Sequence, residues 1–105
     1  MADFMGLMKQ AAELKTKMEA MQAELDRIEV EGTAGGGMVT VKLSAKGELK
    51  GVHIDGSLMK PDEKEIVEDL LVAAHADARR KAETLLQERV KSLTGGLPLP
   101  PGFNL

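Results

Sequence analysis

Residues 4–28, FMGLMKQAAELKTKMEAMQAELDRI, set Phe4, Leu7, Ala11, Leu14, Met18, Met21, Leu25 and Ile28 at alternating spacings of three and four. An apolar residue every 3.5 positions marks a helix that lays a narrow seam along a partner helix. A helix of this length reaches about 36 Å at roughly 1.5 Å per residue, more than one small core covers. The stretch therefore reads as an arm, and arms on small proteins hold a partner or a long polymer.

Outward from the seam, Asp3 is a reasonable N-cap, and the predicted first helix spans about residues 3–26. From Ile28 the period falls to two, with Ile28, Val30 and Gly32 alternating with Glu29 and Glu31. Gly35-Gly36-Gly37 interrupts the alternation, and Val39, Val41 and Leu43 resume it against Thr40 and Lys42. Lys46-Gly47 makes the next turn, and Leu49 to Asp55 forms a third strand with Val52 and Ile54 on its apolar face. Three short strands, about 28–55, joined by tight glycine turns imply an antiparallel meander with one face covered.

The second helix is predicted over about 61–93. Pro61 suits its first turn, Asp62, Glu63 and Glu65 complement the positive end of its dipole, and Gly95-Gly96 stops it. Its apolar stripe, Ile66, Leu70, Ala73, Ala74, Ala78, Ala82, Leu85 and Leu93, is rich in alanine in the middle, where small residues admit another helix or backbone closely. Residues 1–94 thus read as a single α+β domain: long helix, three-stranded antiparallel sheet, long helix. Residues 95–105, rich in proline and glycine with three prolines and no charge among them, read as an extended or mobile tail rather than a core element.

Composition narrows the function. With 105 residues, no Cys and two Phe as the only aromatics, the core is built from aliphatic residues, Met and Ala, without disulfides or thiolate metal sites. No apolar run has the length of a membrane span, and MADFMGLMKQ lacks the pattern of a secretory signal, so a cytoplasmic protein is expected. The net charge of −3 argues against a simple polycation, but the charge is unevenly spread. From Lys60 to Asp77 six acidic residues face two basic ones, whereas from Arg79 to Leu93 five basic residues face two acidic ones. Lys9, Lys15 and Lys17 face only Glu13 over their stretch of the first helix. Such asymmetry creates a local positive field on an acidic protein.

Catalysis finds no support. Two histidines and three serines assemble no nucleophile, base and oxyanion hole. His53 and Asp55 share a strand face, which reads as a polar face in water rather than a metal site, and His75 reads as a packed or interfacial residue. Gly35-Gly36-Gly37 lies between two strands with no Lys-Ser/Thr pair after it, so it is a hairpin turn rather than a phosphate loop. No cofactor, metal or small-molecule substrate is expected. The cations suffice for phosphate contacts, which need Lys and Arg at backbone spacing without base-reading geometry. The scarcity of aromatic residues argues against stacking of single-stranded bases.

Several fragments, in this order and spacing, resemble one family. They are Leu7-Met8-Lys9-Gln10-Ala11, Lys17-Met18 through Leu25, Glu29-Val30-Glu31-Gly32 with the glycine turn, Val39-Thr40-Val41, and Val52-His53-Ile54-Asp55 with Ser57-Leu58. Glu68-Asp69-Leu70 with Ala73-Ala74, Asp77-Ala78-Arg79-Arg80, and Leu99-Pro100-Pro101-Gly102-Phe103 complete the set. The chain resembles the YbaB/EbfC family of bacterial nucleoid-associated DNA-binding proteins over nearly its whole length. The resemblance implies a homodimer with a central sheet and helices projecting like tweezers. It also implies binding of double-stranded DNA with limited sequence preference, and roles in nucleoid organisation and gene regulation. It places DNA contacts on Lys9, Lys17, Arg79 and Arg80, to which the charge pattern adds Lys15, Lys81, Arg89 and Lys91. The rival reading is a protein-interaction or chaperone-like module whose coiled-coil arms grip polypeptide.

Overall fold

The computed structural model describes residues 2–94. Met1 and residues 95–105, where the tail was predicted, lie outside the described residues. The elements are α1 (Ala2–Arg27), β1 (Glu29–Ala34), β2 (Val39–Ser44), β3 (Leu49–Ile54), two 3-10 turns (Gly56–Leu58 and Pro61–Glu63) and α2 (Lys64–Thr94). The α+β order of helix, three-stranded antiparallel sheet and long helix is the one its periodicities indicate. None of the described helices is long and apolar enough to cross a membrane.

The sheet is a meander in the order β1-β2-β3, every pair antiparallel. Its glycine turn bends as expected, with Gly35, Gly36 and Gly37 all at positive φ and the Met38 amide donating to the Gly35 carbonyl at 3.3 Å. The central strand supplies the core: Val39, Val41 and Leu43 are buried beneath Leu58, Ala74 and Ala78. Gly32 of β1 meets α2 at the alanines, and a Cβ on it would lie 2.2 Å from the Ala74 carbonyl oxygen and the Ala78 amide nitrogen. The small residues of α2 therefore face a strand that carries no side chain at the point of contact.

α2 lies over β1 and β2 and leaves β3 uncovered. Val52 stands opposite Val41 and Leu49 opposite Leu43, so both belong to the apolar face, and a register shift at Lys42/Leu43 separates them by three positions instead of two. Both are nevertheless exposed, together with Val72 of α2. Leu49, Val52, Leu71, Val72 and His75 line one open apolar hollow, with Val41 at its floor.

The sheet's two free edges differ. On β1 the Thr33 amide donates to the Asp77 carboxylate at 3.0 Å, and Lys81 donates to the Glu31 carbonyl at 2.8 Å. Side chains of α2 thus cap that edge. Among the described residues, no side chain or loop bonds to the outer edge of β3.

A second core holds the helices together. Met18, Met21 and Leu25 are buried with Ala45, and Leu14, Ile28, Leu85, Leu86, Val90 and Leu93 pack around them. The partner of the seam is therefore α2 of the same chain. Since α1 runs toward the sheet and α2 away from it, the two are antiparallel, and the molecule measures 72 × 20 × 19 Å. The seam is used only in part, however. Phe4 and Leu7 are 62% and 61% exposed, and Ala11 is exposed as well.

Two local differences have simple causes. Pro61 opens a 3-10 turn, which the Glu63 amide closes by donating to the Lys60 carbonyl at 2.9 Å, and the α-helix follows from Lys64. β3 ends at Ile54, and Asp55 caps the next turn, accepting from both the amide and the hydroxyl of Ser57. That hydrogen bonding holds its carboxyl below the usual range. Asp55 is thus a cap rather than a strand-face partner of His53. Among the described residues no group of three or more His, Cys, Asp or Glu could hold a metal ion.

Candidate nucleic-acid interface

A helix turns about 100° per residue, so three consecutive cations cannot share one face. Arg79, Arg80 and Lys81 fan around α2 accordingly. Arg79 turns toward the β2–β3 turn, lining a hollow with Lys46, Gly47 and Glu83. Lys81 turns the other way to the β1 edge, and Arg80 points outward with its side chain 70% exposed.

Each has a carboxylate beside it. Arg79 pairs with Glu83 at 3.3 Å, Arg80 with Asp77 at 3.6 Å and Lys81 with Asp77 at 3.3 Å. Farther along, Arg89 reaches across to Glu24 of α1 at 2.6 Å and lines a hollow with Lys17, Ser92 and Leu93. Lys17 and Arg89 are thus brought together from different helices on one side of the arm. Lys15 flanks the seam on the other side, and Lys9 lies on the back of α1, by the same helical geometry. Lys91 is exposed in the last turn of α2. The eight cations are spread around α1 and α2, with Arg79 and Lys81 beside the sheet, instead of lining one stripe.

The pairing does not sequester them. An exposed ion pair such as Arg79–Glu83 contributes about 0–1 kcal/mol, so exchanging a carboxylate for a phosphate costs little. Lys81 differs, because its bond to the Glu31 carbonyl also ties α2 to β1. Over the whole of α1 the acidic residues outnumber the basic by one, so the positive field of the arm originates in the outer half of α2.

Sequence reasoning missed Lys46 and Arg27. Lys46 stands beside Arg79 and pairs with Asp26 at 3.5 Å; Arg27 is exposed in the last turn of α1. The Lys46-Gly47 turn was legible as a turn, but its place beside Arg79 is a tertiary fact with no signal in the local pattern.

Asp77 is the organising carboxylate of this region. The Thr33 amide, then the Lys81 ammonium, hold its carboxyl below the ordinary value of 3.8. A depressed value in the folded state stabilises above the unfolded value and ceases to do so as pH falls through the folded one. Urea midpoints of the wild type are therefore expected to drop more steeply below pH 3.8 than those of Asp77→Asn, which keeps the acceptor for Thr33 but not the charge. Equal pH profiles would mean that the Asp77 charge adds nothing to stability.

A family model for the YbaB/EbfC DNA-binding family matches residues 1–97, most of the chain. The chain belongs to that family. A YbaB/EbfC relative called a nucleoid-associated protein in Rhodopseudomonas palustris strain BisB5 is 68% identical over 105 residues, covering 100% of this chain and 99% of its own. Another so called, from Nitrobacter winogradskyi, is 66% identical over 103 residues, covering 98% of this chain and 97% of its own. The crystal structure of an uncharacterized Helicobacter pylori protein superposes with a TM-score of 0.80 at 26% identity, over 89% of this chain and 98% of that one. YbaB/EbfC is a family of DNA-binding proteins and not a known enzyme family.

Proposed function

We propose that this YbaB/EbfC chain binds double-stranded DNA as a homodimer, through phosphates and with limited sequence preference. By altering the conformation of the duplex it contributes to nucleoid organisation and gene regulation. Family membership supports the nucleic acid as partner, and the nucleoid-associated relatives support the place of action. The observation that carries the mechanism is that Arg79, Arg80 and Arg89 stand exposed on α2, each in a surface ion pair that leaves it open to solvent. The roles of Lys9, Lys15, Lys17, Arg79, Arg80, Lys81, Arg89 and Lys91 belong to this proposal.

Salt separates the reading from the chaperone-like alternative, which the exposed apolar start of α1 favours. Affinity for several unrelated duplexes is expected to be similar and to fall steeply as salt rises, because bound counterions are released from each neutralised phosphate. Binding that ignores salt, or that occurs only with unfolded polypeptide, would replace this proposal with the alternative.

The open edge of β3 supports the homodimer. Pairing there with a second copy would satisfy the free backbone groups and bury Leu49, Val52 and Val72. Val52→Lys combined with Val72→Lys is expected to halve the mass measured by light scattering while the fold persists, since both side chains are already exposed. An unchanged mass would move the subunit contact elsewhere.

A further inference from the structure

The seam of α1 is bare over a definite length. α2 packs on Met18, Met21 and Leu25, and Leu14 lies at the margin of that core. Beyond the margin Ala11, Leu7 and Phe4 carry the same seam to the end of the arm and stay exposed, with Met8 beside them at 57% exposure. Among the described residues they belong to neither core.

We propose that a second copy of the chain covers this stretch: the bare ends of two α1 helices lie side by side, antiparallel, and join two arms tip to tip. Spacing is the first reason. Positions 4, 7, 11 and 14 are separated by three, four and three residues, a pattern that reads the same in both directions. A two-fold axis level with residue 9 sets Phe4 against the other copy's Leu14 and Leu7 against its Ala11, and each pair occurs twice. Every bare seam position then has an apolar partner.

Space is the second reason. α2 runs antiparallel to α1 and reaches Lys17 and Met21 with Leu93, one residue before its described end. An antiparallel second α1 begins at the level of Leu14 and continues outward, so it extends the two-helix rod instead of competing with α2. A parallel second α1 would have to pass through the place that α2 occupies on Met18, Met21 and Leu25.

Charge is the third. At this register Asp3 arrives on the flank that carries the other copy's Lys17, where Lys17 and Arg89 share one hollow with Glu24 as its carboxylate. The opposite flank brings the two Met8 side chains together. Lys9 and Glu13 fall on the outer faces, so no like charges meet across the contact. An overlap of eleven residues, about 16 Å at roughly 1.5 Å per residue, is small for a stable interface, so the contact is transient. It does not depend on pairing along β3, but a chain that pairs in both ways has two different two-fold contacts and builds assemblies larger than a dimer.

The chain has no Cys, so single thiols report the register. Full-length Asp3→Cys and Lys17→Cys proteins, mixed and treated with a short bismaleimide, are expected to give a cross-linked mixed dimer. Neither protein alone should give one, because the two copies of position 3 are about 18 Å apart along the axis and those of position 17 about 24 Å. Adding Phe4→Ser and Leu7→Ser to both chains should abolish the product while circular dichroism stays unchanged, both side chains being exposed. The product should persist when both chains also carry Val52→Lys and Val72→Lys, so that failure of the β3 pairing and failure of the tip contact read out separately. The proposal is overturned if the mixture gives no more product than either protein alone, the result expected when the same chain or an unrelated polypeptide covers the seam. It is equally overturned if Asp3→Cys cross-links better alone, which marks a parallel pair, if the serine substitutions leave the yield unchanged, or if the lysine substitutions on β3 and α2 remove it.

Discussion

Gly32→Ala is expected to lower stability by about 3 kcal/mol, the upper end of the usual cost of overpacking. The added methyl would lie 2.2 Å from two backbone atoms of α2, and backbone cannot swing aside as a side chain does. Relief requires lifting α2 from β1, which also loosens Ala74 and Ala78 from Val39 and Val41 and strains the bonds from Asp77 and Lys81 to the strand edge. A change of this size is a large fraction of what holds a small domain together. Urea unfolding followed by circular dichroism measures it directly. Gly36→Ala is the matched control: a methyl there meets open space, and its cost, about 1 kcal/mol, comes only from the positive φ. Equal midpoints for the two variants would show that close approach at Gly32 does not limit the packing.

That contact marks where the sequence stops being legible. The run Ala73-Ala74 to Ala82 announces that something comes close to α2, because small side chains on an otherwise apolar stripe leave room for backbone. Which backbone it is depends on the meander's position beneath the helix, and nothing local to Gly32 encodes that. The alternation of Val39, Val41 and Leu43 was fully informative, since a central strand under a helix has only one way to hide one face. Val52 obeys the same alternation yet stays exposed, because periodicity identifies a face but not the width of the helix laid over it. The seam behaves likewise. Its 3.5-residue repeat correctly marks Met18, Met21 and Leu25 as buried, and it continues unchanged through Phe4 and Leu7, where described cover has ended.

The candidate site divides in the same manner. Pairs at three and four positions, Arg80 with Asp77 and Arg79 with Glu83, follow from helical spacing and were open to inspection in the sequence. The pair of Arg89 with Glu24, the hold of Lys81 on the Glu31 carbonyl and the proximity of Lys46 to Arg79 are long-range. Charge counting treats Arg80 and Lys81 as equals, whereas the fold gives one to solvent and uses the other to fasten a helix to a strand.

This division makes the DNA-binding proposal testable residue by residue. Arg79→Ala with Arg80→Ala is expected to weaken binding about a hundredfold at low salt, since each charge-assisted bond to phosphate contributes about 1.5 kcal/mol. The loss should be similar on unrelated duplexes, and the slope of log affinity against log salt should become shallower by about two, one for each lost phosphate contact. Both side chains are exposed, so the urea midpoint should barely move. Lys81→Ala should show the opposite balance, a lower midpoint with a smaller change in salt slope, because its ammonium bonds Asp77 and the Glu31 carbonyl. Fluorescence anisotropy over a salt series and urea unfolding on the same preparations supply both readouts. Affinity unchanged on every duplex would remove Arg79 and Arg80 from the interface. A loss confined to one duplex would mean that they read base edges and not the phosphate backbone, since a contact to phosphate carries no direct sequence information.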